Sequence, residues 1–292
     1  MPGGREVVGQ MVRVAELVEA GEILAPCGRP ETVVLTEDTS KRVVRIPRLG
    51  AFYETQLVRR VAEVCDYCNE HAVIGVITSP FGTGKTEAVA AWRRKTVGRV
   101  DSLVVEMDEY IGCNKVDFIC TLARTLGATT ASGAQNGGRA FREVCDKLRE
   151  SPTLLVFDQV EVARPRIMQV IRQVHDRVAE AGVGVVILAA PILLARLSKM
   201  ADLGALASRV AIFAPLSGLS RAEMAAIVRA EGITEVEDAA FDLWWKATGG
   251  SMRRLMRAIA LLKEKHAGKP VTAKTLSGVA GYLWGMSLER VA

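Results

Sequence analysis

Residues 79–86 read Ser-Pro-Phe-Gly-Thr-Gly-Lys-Thr, and the types and spacing are those of an anion cradle. In a glycine-containing turn that opens a helix, successive backbone N–H groups point at one place and favour negative charge there. Lys85 adds a mobile point charge, and the Thr86 hydroxyl adds an oxygen ligand for a hard cation. The implied chemistry is binding of nucleotide phosphates, with ATP and Mg²⁺ as the expected pair. Pro80, Gly82, Thr83, Gly84, Lys85, Thr86 and Glu87 are the candidate nucleotide-binding residues. The usual pattern starts with a glycine, and this chain has Ser79 there.

Such a loop needs a carboxylate at the end of a neighbouring strand to hold the metal, with a base or water-positioning group beside it. "TLLVFDQVE" supplies Asp158 after four apolar residues, so Thr86 and Asp158 are the expected Mg²⁺ residues. The next residue is Gln159, at the place of the usual catalytic glutamate. An amide orients water but does not accept its proton. Three readings stand: slow natural hydrolysis, a glutamate exchanged for glutamine to hold bound ATP, or replacement by Glu161. Strand alternation favours the first two, because it would point residues 159 and 161 the same way about 6.5 Å apart.

The elements that must carry these residues are legible as apolar runs. "AVIGVIT" precedes the loop, and "SLVVEM", "TLLVFD", "GVVILAA" and "RVAIFAP" follow, separated by segments with helical periodicity. Short, nearly unbroken apolar strands alternating with amphipathic helices predict a three-layer α/β domain with a parallel sheet, over residues 55–215. From residue 216 to 292 the pattern is helical throughout, a small all-helical lid domain, with Ser220 and Glu223 spaced as a capping box. Residues 1–54 read as an arm with a short helix, "GQMVRVAELVEAG", and strand-like runs broken by Pro and Gly.

The chain has 292 residues, a formal net charge of +5 and six cysteines. No apolar run approaches the roughly 20 residues of a membrane span. The N-terminus lacks a secretory pattern, so a cytoplasmic protein is expected. The scattered cysteines fit buried free thiols, and "CDYC" has no second ligand pair to complete a zinc site.

Taken in order, "FYETQ", "GVITSPFGTGKTEA", "LLVFDQVE", "GVVILAAP", "LASRVAIFAPLSGLS" and "TGGSMRRLMRAI" resemble the AAA+ ATPases over roughly residues 50–265. Within that family the set is similar to the branch that holds the Mu phage B transposition protein, TnsC, TniB and ExeA. The resemblance implies that Arg209 reaches the γ-phosphate of a neighbouring subunit as a catalytic finger. It also implies that Arg253, or Arg254 beside it, senses nucleotide from the lid. Relatives place a polar side chain where Ala190 stands, which with Gln159 implies slow or blocked turnover.

The function so implied is an ATP-dependent regulator of DNA transposition that oligomerises as a ring or helical filament on double-stranded DNA and recruits a transposase. The binding would be indifferent to sequence, through Lys and Arg contacts to the backbone. Lys115, Arg139, Arg94 and Lys95 are the DNA candidates. The first 50 residues show no two-helix pattern, so DNA binding is expected from the ATPase assembly itself. Two alternatives stand beside this reading. One is an ExeA-like ATPase acting on protein partners, and the other a nucleotide-locked scaffold that does not hydrolyse. Trp92, Trp244 and Trp245 fall at apolar helical positions and are expected in a core or interface.

Overall fold

All five apolar runs become strands in the computed structural model, which describes residues 52–128, 137–193, 206–266 and 268–285. The expected arm up to residue 51 lies outside the described residues. The strands are β1 (Ile74–Thr78), β2 (Ser102–Glu106), β3 (Leu154–Asp158), β4 (Val185–Ala189) and β5 (Val210–Pro215), in the order β2-β3-β4-β1-β5. Every pairing is parallel. The order explains the composition. β1, β3 and β4 are inner strands buried along their length, whereas the edge strands β2 and β5 are only partly covered, and Phe213 on β5 is exposed.

The helices around the sheet are α1 (Gln56–His71), α2 (Lys85–Thr96), α3 (Lys115–Thr125), α4 (Gly137–Glu150) and α5 (Pro165–Val178). Alternation along the strands divides the core. Leu155, Phe157, Val185, Ile187, Ile74 and Val76 pack with Phe118, Leu122, Val144, Leu148, Ile167 and Ile171 of α3, α4 and α5. On the other face α1 comes so close that a Cβ at Gly184 would stand 2.0 Å from the Cys68 carbonyl oxygen, and one at Gly75 2.5 Å from Cys68 Sγ. These two glycines permit the three layers to close.

Cys65 and Cys68 are buried in that contact, and burial pushes the Cys68 thiol up to about 12. Both are free thiols, as are Cys120 and Cys145. Cys113 departs from the expectation of buried thiols: it is exposed, in the turn between β2 and α3 where the chain has left the core.

By packing, Leu57–Leu216 form one unit, and among the described residues those from Ser217 onward together with Phe52–Gln56 form a second. The second unit holds α6 (Arg221–Ala230), α7 (Asp238–Thr248), α8 (Met252–Lys265) and α9 (Ala273–Trp284) around Met224, Ile227, Trp244, Leu255, Ile259 and Leu276. The capping box is present: the Ser220 hydroxyl accepts from Glu223 N, and the Glu223 carboxylate accepts from Ser220 N at 2.9 Å. The other oxygen of Glu223 accepts from Gln56 N at 2.6 Å. Tyr53, 4% exposed, joins this core and donates its hydroxyl to Glu231, which also accepts from Lys263. No helix among the described residues is long and apolar enough to cross a membrane.

Candidate phosphate-binding site

The loop from Ser79 to Gly84 joins the buried end of β1 to the start of α2. Ser79 N donates to Ala189 O at 3.1 Å, so the first loop residue is pinned to the end of β4. Two glycines then supply backbone conformations that side chains disfavour, Gly82 at φ 77° and Gly84 at φ 105°. Gly84 caps α2 without a side-chain hydrogen bond, which leaves the first-turn amides facing the turn. Glu87 lies in that first turn, where the helix dipole favours a carboxylate.

The departure at Ser79 has a local explanation. Its φ is not positive, so this position does not need glycine. Its side chain is fully buried, and its hydroxyl lies 2.7 Å from that of Thr83, which in turn donates to Pro80 O at 2.9 Å. Serine therefore braces the loop from inside, while Phe81 at its tip is 68% exposed. The Lys85 ammonium lies over the loop and donates to the carbonyls of Ser79 at 2.6 Å and Pro80 at 3.1 Å.

Asp158 meets Thr86 directly: the Thr86 hydroxyl donates to Asp158 Oδ2 at 2.6 Å. The strand order corrects one expectation, since β3 is not the neighbour of β1 and β4 runs between them. Thr86 spans that gap because α2 lies across the sheet. Asp158 is 2% exposed, and its Oδ1 accepts from Gln159 N at 2.8 Å. A hydroxyl and a carboxylate sharing one point, both oxygen donors, fit a hard cation such as Mg²⁺. When bound, such an ion neutralises phosphate charge.

The chain after Asp158 is where sequence reasoning failed. Strand geometry ends at Asp158, Gln159 turns at φ 58°, and Val160–Val162 form a 3₁₀ turn, so alternation does not relate residues 159 and 161. The Gln159 side chain is exposed and donates its amide to Glu106 at the end of β2. Glu161 points to the opposite side, and its Oε2 accepts from Ala190 N, just beyond β4, at 3.0 Å. Ala190 itself is buried and offers no side-chain polar group. A positive φ at a glutamine has no periodic signal in sequence, so nothing there foretold the turn.

The remaining candidates lie apart. Arg209 precedes β5 at the end of the sheet opposite the loop and pairs with Asp176 at 2.8 Å, beside Arg172 on the same carboxylate. With Pro215 beside Thr78, the six residue steps back to Arg209 put it roughly 20 Å from its own loop. Arg94 and Lys95 end α2 near the start of β2, the edge strand opposite β5, where the adjacent Arg93 donates to Ser102 Oγ at 3.1 Å. Lys115 and Arg139 are exposed at the first turns of α3 and α4, which adjoin through Val116 and Gly137, and Arg139 pairs with Glu143. The four DNA candidates thus form two separate pairs.

In the helical unit Arg253 and Arg254 are both exposed, and Arg254 donates to Ala247 O at 3.2 Å and stands 5.8 Å over the Trp284 ring. Trp92 is buried and donates to Asp66 Oδ1 at 2.7 Å, and Trp244 is buried, but Trp245 is 37% exposed.

The fold that carries this site is that of AAA+ ATPase domains. No protein-family model matches the sequence, and no curated protein matches it. Among solved structures, Cdc6p from Pyrobaculum aerophilum is similar with a TM-score of 0.60 at 15% identity, over 80% of this chain and 68% of that one. The ORC1 protein of Aeropyrum pernix in complex with DNA has a TM-score of 0.57 at 15% identity, over 78% and 64%. The ORC2 protein of the same organism, in ADPNP and ADP complexes, has a TM-score of 0.55 at 14% identity, over 77% and 66%. This chain therefore spans about two thirds of the length of those proteins.

Proposed function

We propose that the chain is an ATP-binding, DNA-associated AAA+ protein that self-assembles on duplex DNA, and that it regulates DNA transposition as the Mu phage B, TnsC and TniB proteins do. The observation that carries the nucleotide reading is the meeting of Thr86 with Asp158 across β4 beside a two-glycine loop at the start of α2. One hydroxyl, one carboxylate and one ammonium gathered at this loop support binding of the phosphates and Mg²⁺ of ATP. The ADPNP and ADP complexes of the similarly folded ORC2 support it.

DNA association is supported by the DNA complex of the similarly folded ORC1 and by the exposed Lys115 and Arg139 on adjoining helix starts. The ordered motifs resembling the Mu B branch support transposition as the process. Arg209, too far from its own loop, is assigned to the γ-phosphate held by a second copy. Arg253 is assigned to reading nucleotide, because Arg254 is engaged within its own helices. Ala190 brings no polar side chain to the end of β4, which supports slow hydrolysis, so the ATP state persists as the signal.

The test is duplex-DNA binding by the purified chain with ATP, ADP or no nucleotide, followed by electron microscopy of the products. ATP-dependent assemblies that ignore DNA sequence are expected. Their affinity should fall with salt at a log–log slope of roughly −0.9 per phosphate neutralised. A chain that stays monomeric and ignores duplex DNA in ATP refutes the proposal. Stimulation of a transposase by these assemblies, lost in ADP, tests the finer assignment.

A further inference from the structure

We infer that Glu161, and not Gln159, is the catalytic carboxylate that takes the proton of the water attacking the γ-phosphate. The inference rests on the nucleotide reading above and deepens it. Three contacts carry it, all at one end of the sheet.

The strand order is β2-β3-β4-β1-β5, so the two flanks of Asp158 differ: β2 lies on one side, and β4 and then the phosphate-loop strand β1 lie on the other. The left-handed turn at Gln159 divides the following side chains between these flanks. Gln159 sends its amide to Glu106 at the tip of β2, away from the loop. Glu161 sends its carboxylate to the N–H of Ala190 at the tip of β4.

That N–H belongs to the same peptide group whose carbonyl, on Ala189, accepts from Ser79 N, the first amide of the phosphate loop. One rigid peptide is therefore held between the loop and Glu161, which puts the carboxylate within about 8 Å of Ser79 N. Glu161 thus stands between the loop and Asp158, on the flank where phosphates and attacking water meet. Ala190 supplies no polar side chain of its own, so the carboxylate fills the end of β4 with a proton acceptor.

In the step this permits, the water oxygen bonds to the γ-phosphorus while its proton passes to Glu161. The bond from the γ-phosphorus to the bridging oxygen breaks, and its electron pair leaves on ADP. The strain at Gln159, a non-glycine residue at φ 58°, is then the local cost of turning Glu161 inward.

The test compares the full chain with Glu161→Gln, Gln159→Ala and Gln159→Glu, each with Mg²⁺ and duplex DNA. Affinity for ATP and ADP, thermal melting, single-turnover hydrolysis and the identity of the bound nucleotide after incubation are read for each. Glutamine at 161 keeps the oxygen that accepts from Ala190 N, so ATP affinity and melting should hold. Hydrolysis should fall roughly 100-fold or more, and the recovered nucleotide should be ATP. Gln159→Ala should stay within about fivefold of the parent, because its amide serves Glu106. Gln159→Glu should bring no gain, because it sets two carboxylates side by side.

Unchanged hydrolysis in Glu161→Gln, a collapse in Gln159→Ala with binding intact, or a gain of about tenfold in Gln159→Glu each overturns the inference. Should Glu161→Gln fail to fold, the two Gln159 variants still decide the matter. A parent that binds ATP without hydrolysing it overturns the inference alone. A parent that binds no nucleotide overturns the nucleotide reading itself.

Discussion

Alanine at Gly84 and alanine at Gly98 place the same local problem in two settings. Gly84 has φ 105° and ψ 20°, and Gly98 has φ 77°. A Cβ built at either meets nothing within 4 Å, so neither substitution clashes and the whole cost is backbone conformation. Gly98 sits near the left-handed basin, where alanine costs about 1–2 kcal/mol. Gly84 lies beyond it, where about 2–3 kcal/mol is the scale.

For a domain of this size Gly98→Ala should lower Tm by roughly 3–6 °C, and Gly84→Ala should lower it less, because the empty loop relaxes. The difference appears on binding. The strained conformation at Gly84 is the one the loop uses, and a loop that relaxes with alanine must be forced back to take phosphates. A cost of about 2–3 kcal/mol weakens ATP affinity roughly 30- to 150-fold, while Gly98→Ala, in a turn after α2, should leave affinity unchanged. Titration calorimetry with a non-hydrolysable ATP analogue, with melts on the same samples, reads both quantities. Gly84→Ala binding as tightly as the parent would refute the cradle. Equal weakening by Gly98→Ala would show that the effect was merely global.

Three further outcomes follow from particular contacts. Arg209→Ala removes an exposed pair with Asp176 and should change stability by under about 1 kcal/mol, yet reduce turnover in assemblies roughly 1,000-fold; equal turnover in variant and parent assemblies would remove Arg209 from the reaction. Gly75→Ala should destabilise by about 1–3 kcal/mol through Cys68 Sγ and be partly rescued by Cys68→Ala, whereas Gly184→Ala, which meets the Cys68 backbone carbonyl, should not be rescued; equal rescue in thermal melts would contradict the packing. Burial pushes the Glu231 carboxyl up, but hydrogen bonds from Lys263 and Tyr53 outweigh it and hold the group below its ordinary value. A lowered folded-state value means stability present above the unfolded value and lost as pH falls, so from about pH 5 to pH 3 the parent's Tm should drop faster than that of Glu231→Gln. Parallel slopes would refute this.

How far the chain was legible varies with the range of the cause. The five strands were visible because three of them are buried on both faces and so carry continuous Val, Ile and Leu. The loop was visible because its glycines, lysine and threonine are contiguous and each type has one plain use. Ser79 looked like a defect in the pattern until its buried hydroxyl was seen bracing Thr83.

By itself the sequence determined the alternation of strands and helices, the two-glycine loop that joins β1 to α2, the position of Asp158 and the run of helices that fills the described residues after 216. These follow from periodicity and from residue types acting on near neighbours. Only the tertiary structure decided that β4 separates β1 from β3, that Arg209 lies at the end of the sheet far from its own loop, and that Gln159 and Glu161 face opposite flanks. Strand order comes from long-range packing, and the turn at Gln159 comes from contacts to Glu106 and Ala190, residues 53 and 29 positions away from their partners. No local pattern in the chain encodes such distances.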